Sequence, residues 1–222
     1  MVRLAAAPLI ALVLIGAPAS AQSPSRPGPW ALDVRGVTGP VPEQTVFYPT
    51  LDRTALIPGR GFGLDLGVHV YLLNLGAARL GIGADLFYVR ARTKPLAPAP
   101  VGGSGTITTS PGQTVEVDLR MLAPQVSFNF GSPAGWSYLS AGFGATDVVT
   151  RTSGVSPGRR QSSRLDTMNA GGGARWFFKS HLAFGFDVRL HHIGAGTVEA
   201  PAPLVATPSM RMLTVAVGLS IK

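Results

Sequence analysis

Residues 181–192 read HLAFGFDVRLHH. Leu182, Phe184, Phe186, Val188 and Leu190 alternate there with Ala183, Gly185, Asp187, Arg189 and His191. Successive side chains of a β-strand point to opposite faces, so this strand has one apolar face and one face carrying acid, base and imidazole. A soluble sheet would turn the apolar face to a core. A membrane barrel would turn it to lipid and enclose the charges in its lumen. The same period of two recurs over 30–39, 60–72, 77–92, 115–130, 136–150, 165–178 and 211–221, which makes eight strands. In the fourth, the apolar positions change parity between Met121 and Val126. A β-bulge near Leu122 to Pro124 is expected to restore one continuous face, since a bulge adds a residue and tolerates proline.

The connections alternate in length. Those over 40–59, 93–114, 151–164 and 195–209 are long and rich in Pro, Gly and polar residues. Those at 73–76, 131–135 and 179–180 are short. Long loops outside and short turns on the periplasmic side are the layout of an outer-membrane barrel, with both chain ends on the periplasmic side. The expected fold class is therefore all-β, an eight-stranded up-and-down antiparallel transmembrane β-barrel.

The non-apolar faces carry Gly, Ala and charges of both signs: Asp33, Arg35, Asp65, Asp85, Glu116, Asp118, Arg120, Arg175, Asp187 and Arg189. An eight-stranded barrel encloses a space just wide enough for side chains to fill. Unpaired charges there would be costly, so these ten are expected to form an interior ion-pair network with no open pore. Trp30, Trp136, Tyr138, Trp176, Phe177 and Phe178 fall near the periplasmic strand ends and Tyr88 near the outer end. They are expected to form the aromatic girdles of the two interfaces.

Residues 1–21 carry Arg3, an apolar run from Leu9 to Ile15, and Ala19-Ser20-Ala21 before Gln22. That is the pattern of a cleaved secretory signal, which leaves 22–222 as the barrel domain. No cysteine is present, so no disulfide scaffold is possible. The formal net charge is +8. The export signal argues against a nucleic-acid partner and leaves an anionic lipid surface. Arg90, Arg92, Lys94, Arg151, Arg159, Arg160 and Arg164 fall in or beside the outer loops, with Arg53 and Arg60. Guanidinium groups there could grip the phosphates of lipopolysaccharide, with outer-membrane lipid as the other partner and a monomer as the expected state.

The export signal, the eight Gly-rich alternating strands and the loop rhythm resemble the small eight-stranded outer-membrane barrels, the family of the OmpA transmembrane domain and OmpX. The resemblance implies a structural or surface-interaction role with no catalysis and no cofactor. The chain departs from it in ending Leu219-Ser220-Ile221-Lys222 where such barrels usually carry a terminal aromatic residue. Two other barrel functions stay open, a small channel or transporter and a lipid A-modifying enzyme. Arg189 to Gly196 looks somewhat like the catalytic segment of lipid A deacylases. The Ser needed two residues after the His is replaced by Ile193 and Gly194. His69, His181, His191 and His192 show no metal-ligand spacing. A soluble barrel holding an apolar ligand would reverse the two faces.

Overall fold

A computed structural model describes residues 28–49, 51, 55–93, 113–132, 134–154, 157–199 and 204–222. The expected export signal, Arg53 and Lys94 lie outside the described residues. The strands are β1 (Trp30–Pro40), β2 (Arg60–Asn74), β3 (Ala78–Thr93), β4 (Thr114–Ser132), β5 (Gly135–Ser153), β6 (Gly158–Ser162), β7 (Leu165–Phe177), β8 (Leu182–Ile193), β9 (Gly196–Glu199), β10 (Val205–Thr207) and β11 (Met210–Ile221).

Antiparallel pairing runs β1–β2–β3–β4–β5–β7–β8–β11 and closes with β11 on β1. Closure removes the sheet edge that a spanning structure could not leave unpaired in lipid. The eight barrel strands fall where period-two alternation placed them. Three short strands in the long loops were not anticipated. β6 folds back antiparallel on the outer end of β5, β9 pairs with β6, and β10 pairs with β9. They lie above the barrel and lengthen its wall on one side.

Burial shows which way the apolar faces turn. Phe184 and Leu190 of β8 are 48% and 49% exposed, while Asp187 and Arg189 are each 2% exposed. The apolar face is the outer wall, so the reversed arrangement of a soluble barrel does not hold. The start of β1, the end of β11 and the short turns share one end, with Leu32 of β1 opposite Ile221 of β11. Gly76, at φ +83°, makes the β2–β3 turn, and Asn74 Oδ1 accepts its N–H at 3.2 Å. Such a left-handed conformation costs glycine nothing.

β4 corrects the expected bulge. Its pairing with β3 runs without a register shift from Ala78 opposite Phe130 to Thr93 opposite Val115. The parity changes because the surroundings change. Lower in β4, Leu122, Val126 and Phe128 face outward to lipid. Higher up, Val115, Val117, Leu119 and Met121 face inward and are buried. They pack with Val37, Phe87 and Val89 into an apolar core within the outer half of the barrel. Burying apolar area from water stabilises wherever it occurs, and above the membrane the inside is the only dry place.

The first long connection descends into that core. Phe47 and Tyr48, at its short 3-10 turn Thr45–Phe47, are each 1% exposed. The Thr150 hydroxyl donates to the Phe47 carbonyl, and Arg160 Nη1 donates to the Val46 carbonyl at 2.8 Å. The Tyr48 hydroxyl donates to the Pro42 carbonyl. Burial, with the nearby Glu43 charge adding to it, pushes the Tyr48 hydroxyl well above the ordinary tyrosine range. It stays a neutral donor that fastens the turn in place.

Candidate functional site

Two constellations of charge are built on this frame. The first is inside. Asp33, Arg35, Asp65, Asp85, Arg175, Asp187 and Arg189 all project into the lower lumen and are at most 3% exposed. Arg175 forks onto Asp33, with Nε to Oδ1 at 2.8 Å and Nη2 to Oδ2 at 2.6 Å. This is the bidentate geometry that makes Arg–carboxylate pairs strong. The Ser220 hydroxyl also donates to Asp33. Arg35 sits at the centre. Its Nε donates to Asp65 at 2.8 Å, and Asp33, Asp85 and Asp187 lie 3.7 to 3.9 Å from its terminal nitrogens. Arg189 grips Asp187 at 3.0 Å and donates to Asn169 and Ser140, each at 2.8 Å.

The Tyr138 hydroxyl joins the two halves. It accepts from Arg35 and donates to Asp187 at 2.8 Å. The Arg175 guanidinium lies over its ring, 4.0 Å from the centroid. Gly67 leaves the room this cluster fills, since a Cβ there would stand 3.1 Å from Arg35 Nη2 and 3.2 Å from Asp33 Oδ2. A glycine in a strand interior here makes space for large polar side chains.

The interior set departs from expectation in three members. Glu116, Asp118 and Arg120 do not enter the lumen. They lie on the β4 face opposite Val117 and Leu119, because the apolar residues take the inside in the outer half. Trp136 and Tyr138 are also corrected. Both were expected in the aromatic girdle and both are 1% exposed within the barrel. Trp136 packs with Ala31, Tyr71 and Phe177 across the periplasmic end, and Lys222 Nζ stands 4.8 Å from its ring centroid. Trp30, Trp176 and Phe178 face outward as a girdle requires. No sequence signal separates the two groups except the parity of β5, where Leu139, Ala141 and Phe143 hold the outer face.

The second constellation is outside, above the lipid-facing band. Register sets Tyr88 opposite Arg120, Arg90 opposite Asp118 and Arg92 opposite Glu116. Across the next seam, Arg151 lies opposite Glu116 and Asp147 opposite Arg120. β6 adds Arg159 opposite Arg151. Five arginines and three acids thus share one outward face across four strands. Arg90 and Arg151 both hold Asp118, at 2.6 and 2.5 Å, and Arg92 meets Glu116 at 3.2 Å. Arg120 lies 5.7 Å from the Tyr88 ring centroid, and Arg159 donates to Gln161 at 2.7 Å. A concavity of about 460 Å³ opens beside Arg151, Arg159 and Glu116.

Of the arginines expected to reach lipopolysaccharide, Arg90, Arg92, Arg151 and Arg159 stand on this belt. Arg164 is exposed beside it at the start of β7. Arg160 is corrected: it turns inward to the first-loop turn, because it alternates with Arg159 on β6. Arg120, assigned to the lumen from sequence, belongs to the belt. His191 points inward and its Nε2 lies 3.0 Å from the Thr214 hydroxyl. His192 points outward, so the two histidines cannot act together. Among the described residues no group of three or more His, Cys, Asp or Glu side chains is placed to hold a metal.

No protein-family model matches the chain, and no curated protein does. Solved structures do. Neisserial surface protein A is similar over 88% of this chain and 97% of its own, with 12% identity and a TM-score of 0.51. Ail of Yersinia pestis covers 86% of this chain and 96% of its own at 11% identity and a TM-score of 0.46. OprG of Pseudomonas aeruginosa covers 89% and 97% at 11% identity and a TM-score of 0.43. At such identity the likeness is one of fold. With a closed wall of eight strands, apolar outside and charged within, this chain has the fold of the small eight-stranded outer-membrane β-barrels.

Proposed function

We propose that this chain is an integral outer-membrane barrel that works at the cell surface without catalysis, and that its arginine belt contacts the phosphates of lipopolysaccharide. The observation that carries this reading is the outward face shared by Arg90, Arg92, Arg120, Arg151 and Arg159 just above the lipid-facing wall. Neighbouring strands are about 4.8 Å apart, so the guanidiniums form a dense array. Arg matches phosphate geometry with two parallel donors, which a lysine cannot do. Acids inside the belt hold Arg90, Arg92 and Arg151 in place. Arg120, beside the Tyr88 ring, and Arg159, bonded to the neutral Gln161, make no ion pair among the described residues, so no acid offsets their charge toward a phosphate.

The test replaces Arg92, Arg120 and Arg159 together by Ala and measures lipopolysaccharide binding to the barrel in phospholipid vesicles. Binding by the unaltered protein should fall as salt rises, because exposed charges are screened over about 10 Å at 0.1 M. The triple variant should bind more weakly and lose most of that salt dependence. Equal binding by the variant at every salt concentration rejects the reading.

A further inference from the structure

The lipid-facing wall is not smooth. Ala141 of β5 and Ala170 of β7 are register partners and both face outward. Met168 and Phe143, one step higher on the same strands, are 59% and 60% exposed and stand proud of them. Two concave stretches meet at this pair of alanines. One, of about 410 Å³, runs up past Met168 to His192 and Arg211. The other, of about 530 Å³, runs down to Val126 and Phe128. Both are shallow and open, and they share Ala141 and Ala170, which joins them into one shallow trough. Its head lies at the outer ends of β8 and β11, and its foot near the periplasmic ends of β4 and β5.

The trough is apolar along its length and cationic at its head. Arg211 and His192 are register partners on adjacent strands, and both are exposed. Neither makes a side-chain hydrogen bond or ion pair among the described residues. Asp166 and Glu43 lie on neighbouring elements, and neither comes within ion-pair distance of Arg211. An unpaired arginine at the outer rim, above an apolar channel directed into the membrane, matches a lipid with a phosphate on top and an acyl chain below. The surrounding bilayer is what covers this face, so the occupant comes from it. We infer that this trough is a specific lipid A site, with a phosphate on Arg211 and His192 and one acyl chain seated over Ala170 and Ala141. The site rests on the outer-membrane location and not on the arginine belt, from which it is separate.

The experiment counts lipids retained by the full-length barrel after extraction from outer membranes in mild detergent, by native mass spectrometry. Three variants are compared with the unaltered protein: Ala170→Leu, which fills the trough, Arg211→Ala, which removes the cation, and Arg92→Ala with Arg120→Ala in the belt. A heat-dependent gel shift checks that each is folded. Ala170→Leu and Arg211→Ala should each lose one lipid A per barrel that the belt variant keeps. The inference is overturned if the trough variants retain as much lipid A as the unaltered protein, or if no lipid A is retained by any form. It is equally overturned if the retained molecule is a phospholipid. A dimer that dissociates on Ala170→Leu would assign the trough to a second copy of the chain and overturn it as well. Loss from the belt variant alone would reject this site while leaving the belt reading intact.

Discussion

Arg35 shows how a single side chain can organise a lumen. Four carboxylates, those of Asp33, Asp65, Asp85 and Asp187, stand within 3.9 Å of its guanidinium nitrogens. Among the described residues two other arginines, Arg175 and Arg189, share the load. Replacing Arg35 by Met leaves four buried acids against two guanidiniums, and breaking a buried pair by removing one partner costs about 3–5 kcal/mol. Urea unfolding in lipid vesicles should show a loss of that order. The acids are not equivalent. Asp33 accepts a bidentate pair from Arg175 and a hydroxyl from Ser220. Asp85 accepts no hydrogen bond among the described residues and meets Arg35 and Arg189 only at 3.7 and 3.8 Å. It is also the carboxylate in excess of the three guanidiniums. Asp33→Asn should therefore destabilise by about 3–5 kcal/mol, while Asp85→Asn should cost under about 1 kcal/mol or raise stability. Equal losses in the two variants would refute the ranking. The sequence announced the seven interior charges, because alternation alone decides which side of a closed wall a residue faces. It did not announce Tyr138, whose role depends on Arg35 and Asp187 from strands far off in the chain.

A strand carries a rule about parity, and the rule needs to know where the membrane stops. β3, β4 and β5 are the longest strands, and their outer turns rise above the lipid-facing band. Below the boundary apolar residues go outward; above it they go inward. The change at Met121 to Val126 is legible as a pattern, but a fixed period of two implies a bulge there only if the surroundings stay constant along the strand, and they do not. That one assumption puts Glu116, Asp118 and Arg120 on the wrong side. Single cysteines test the corrected assignment in a chain that has none of its own. On intact cells, Arg120→Cys should react with a membrane-impermeant maleimide, and Leu119→Cys should not. Reaction at Leu119→Cys alone would restore the bulge. The first connection obeys no period, so its sequence shows a Pro-rich loop and carries no sign of the plug it forms. Phe47→Ala should cost about 3–5 kcal/mol, the usual loss for a buried phenyl ring, and expose residues 41–48 to added protease. The Tyr48 hydroxyl adds a pH dependence. Its folded-state value is raised, so the stability it contributes is complete below about pH 10 and is lost as the pH climbs past that point. Protease cutting of the connection should rise there, and Tyr48→Phe should remove that part of the rise.

At the scale of the molecule the lumen is closed three times over, by different physics at each level. Phe47 and Tyr48 sit in an apolar core at the outer mouth, the arginine–aspartate lattice fills the middle, and Trp136 lies across the periplasmic end with Lys222 above its ring. A pore through any one level would still meet two others. Planar-bilayer recordings should therefore show no steady ion conductance from the unaltered barrel. Phe47→Ala and Trp136→Ala should each leave it closed, because Arg175, the register partner of Trp136, stays held by its two hydrogen bonds to Asp33 and the lattice around Arg35 still fills the middle. A variant that removes both ends and also Arg35 would leave the charged middle without its central cation and should conduct. Steady conductance from the unaltered protein would mean that the lattice opens on its own, and the surface role argued from the belt would then have to give way to transport. The outer wall makes a companion prediction for the same preparation. Its backbone groups are satisfied strand to strand with no free edge in the barrel. The folded protein should keep its shape in SDS until heated and migrate differently from the boiled form. Arg35→Met should shift at a lower temperature than Asp85→Asn, since the central cation and not the number of charges holds the middle of the barrel together.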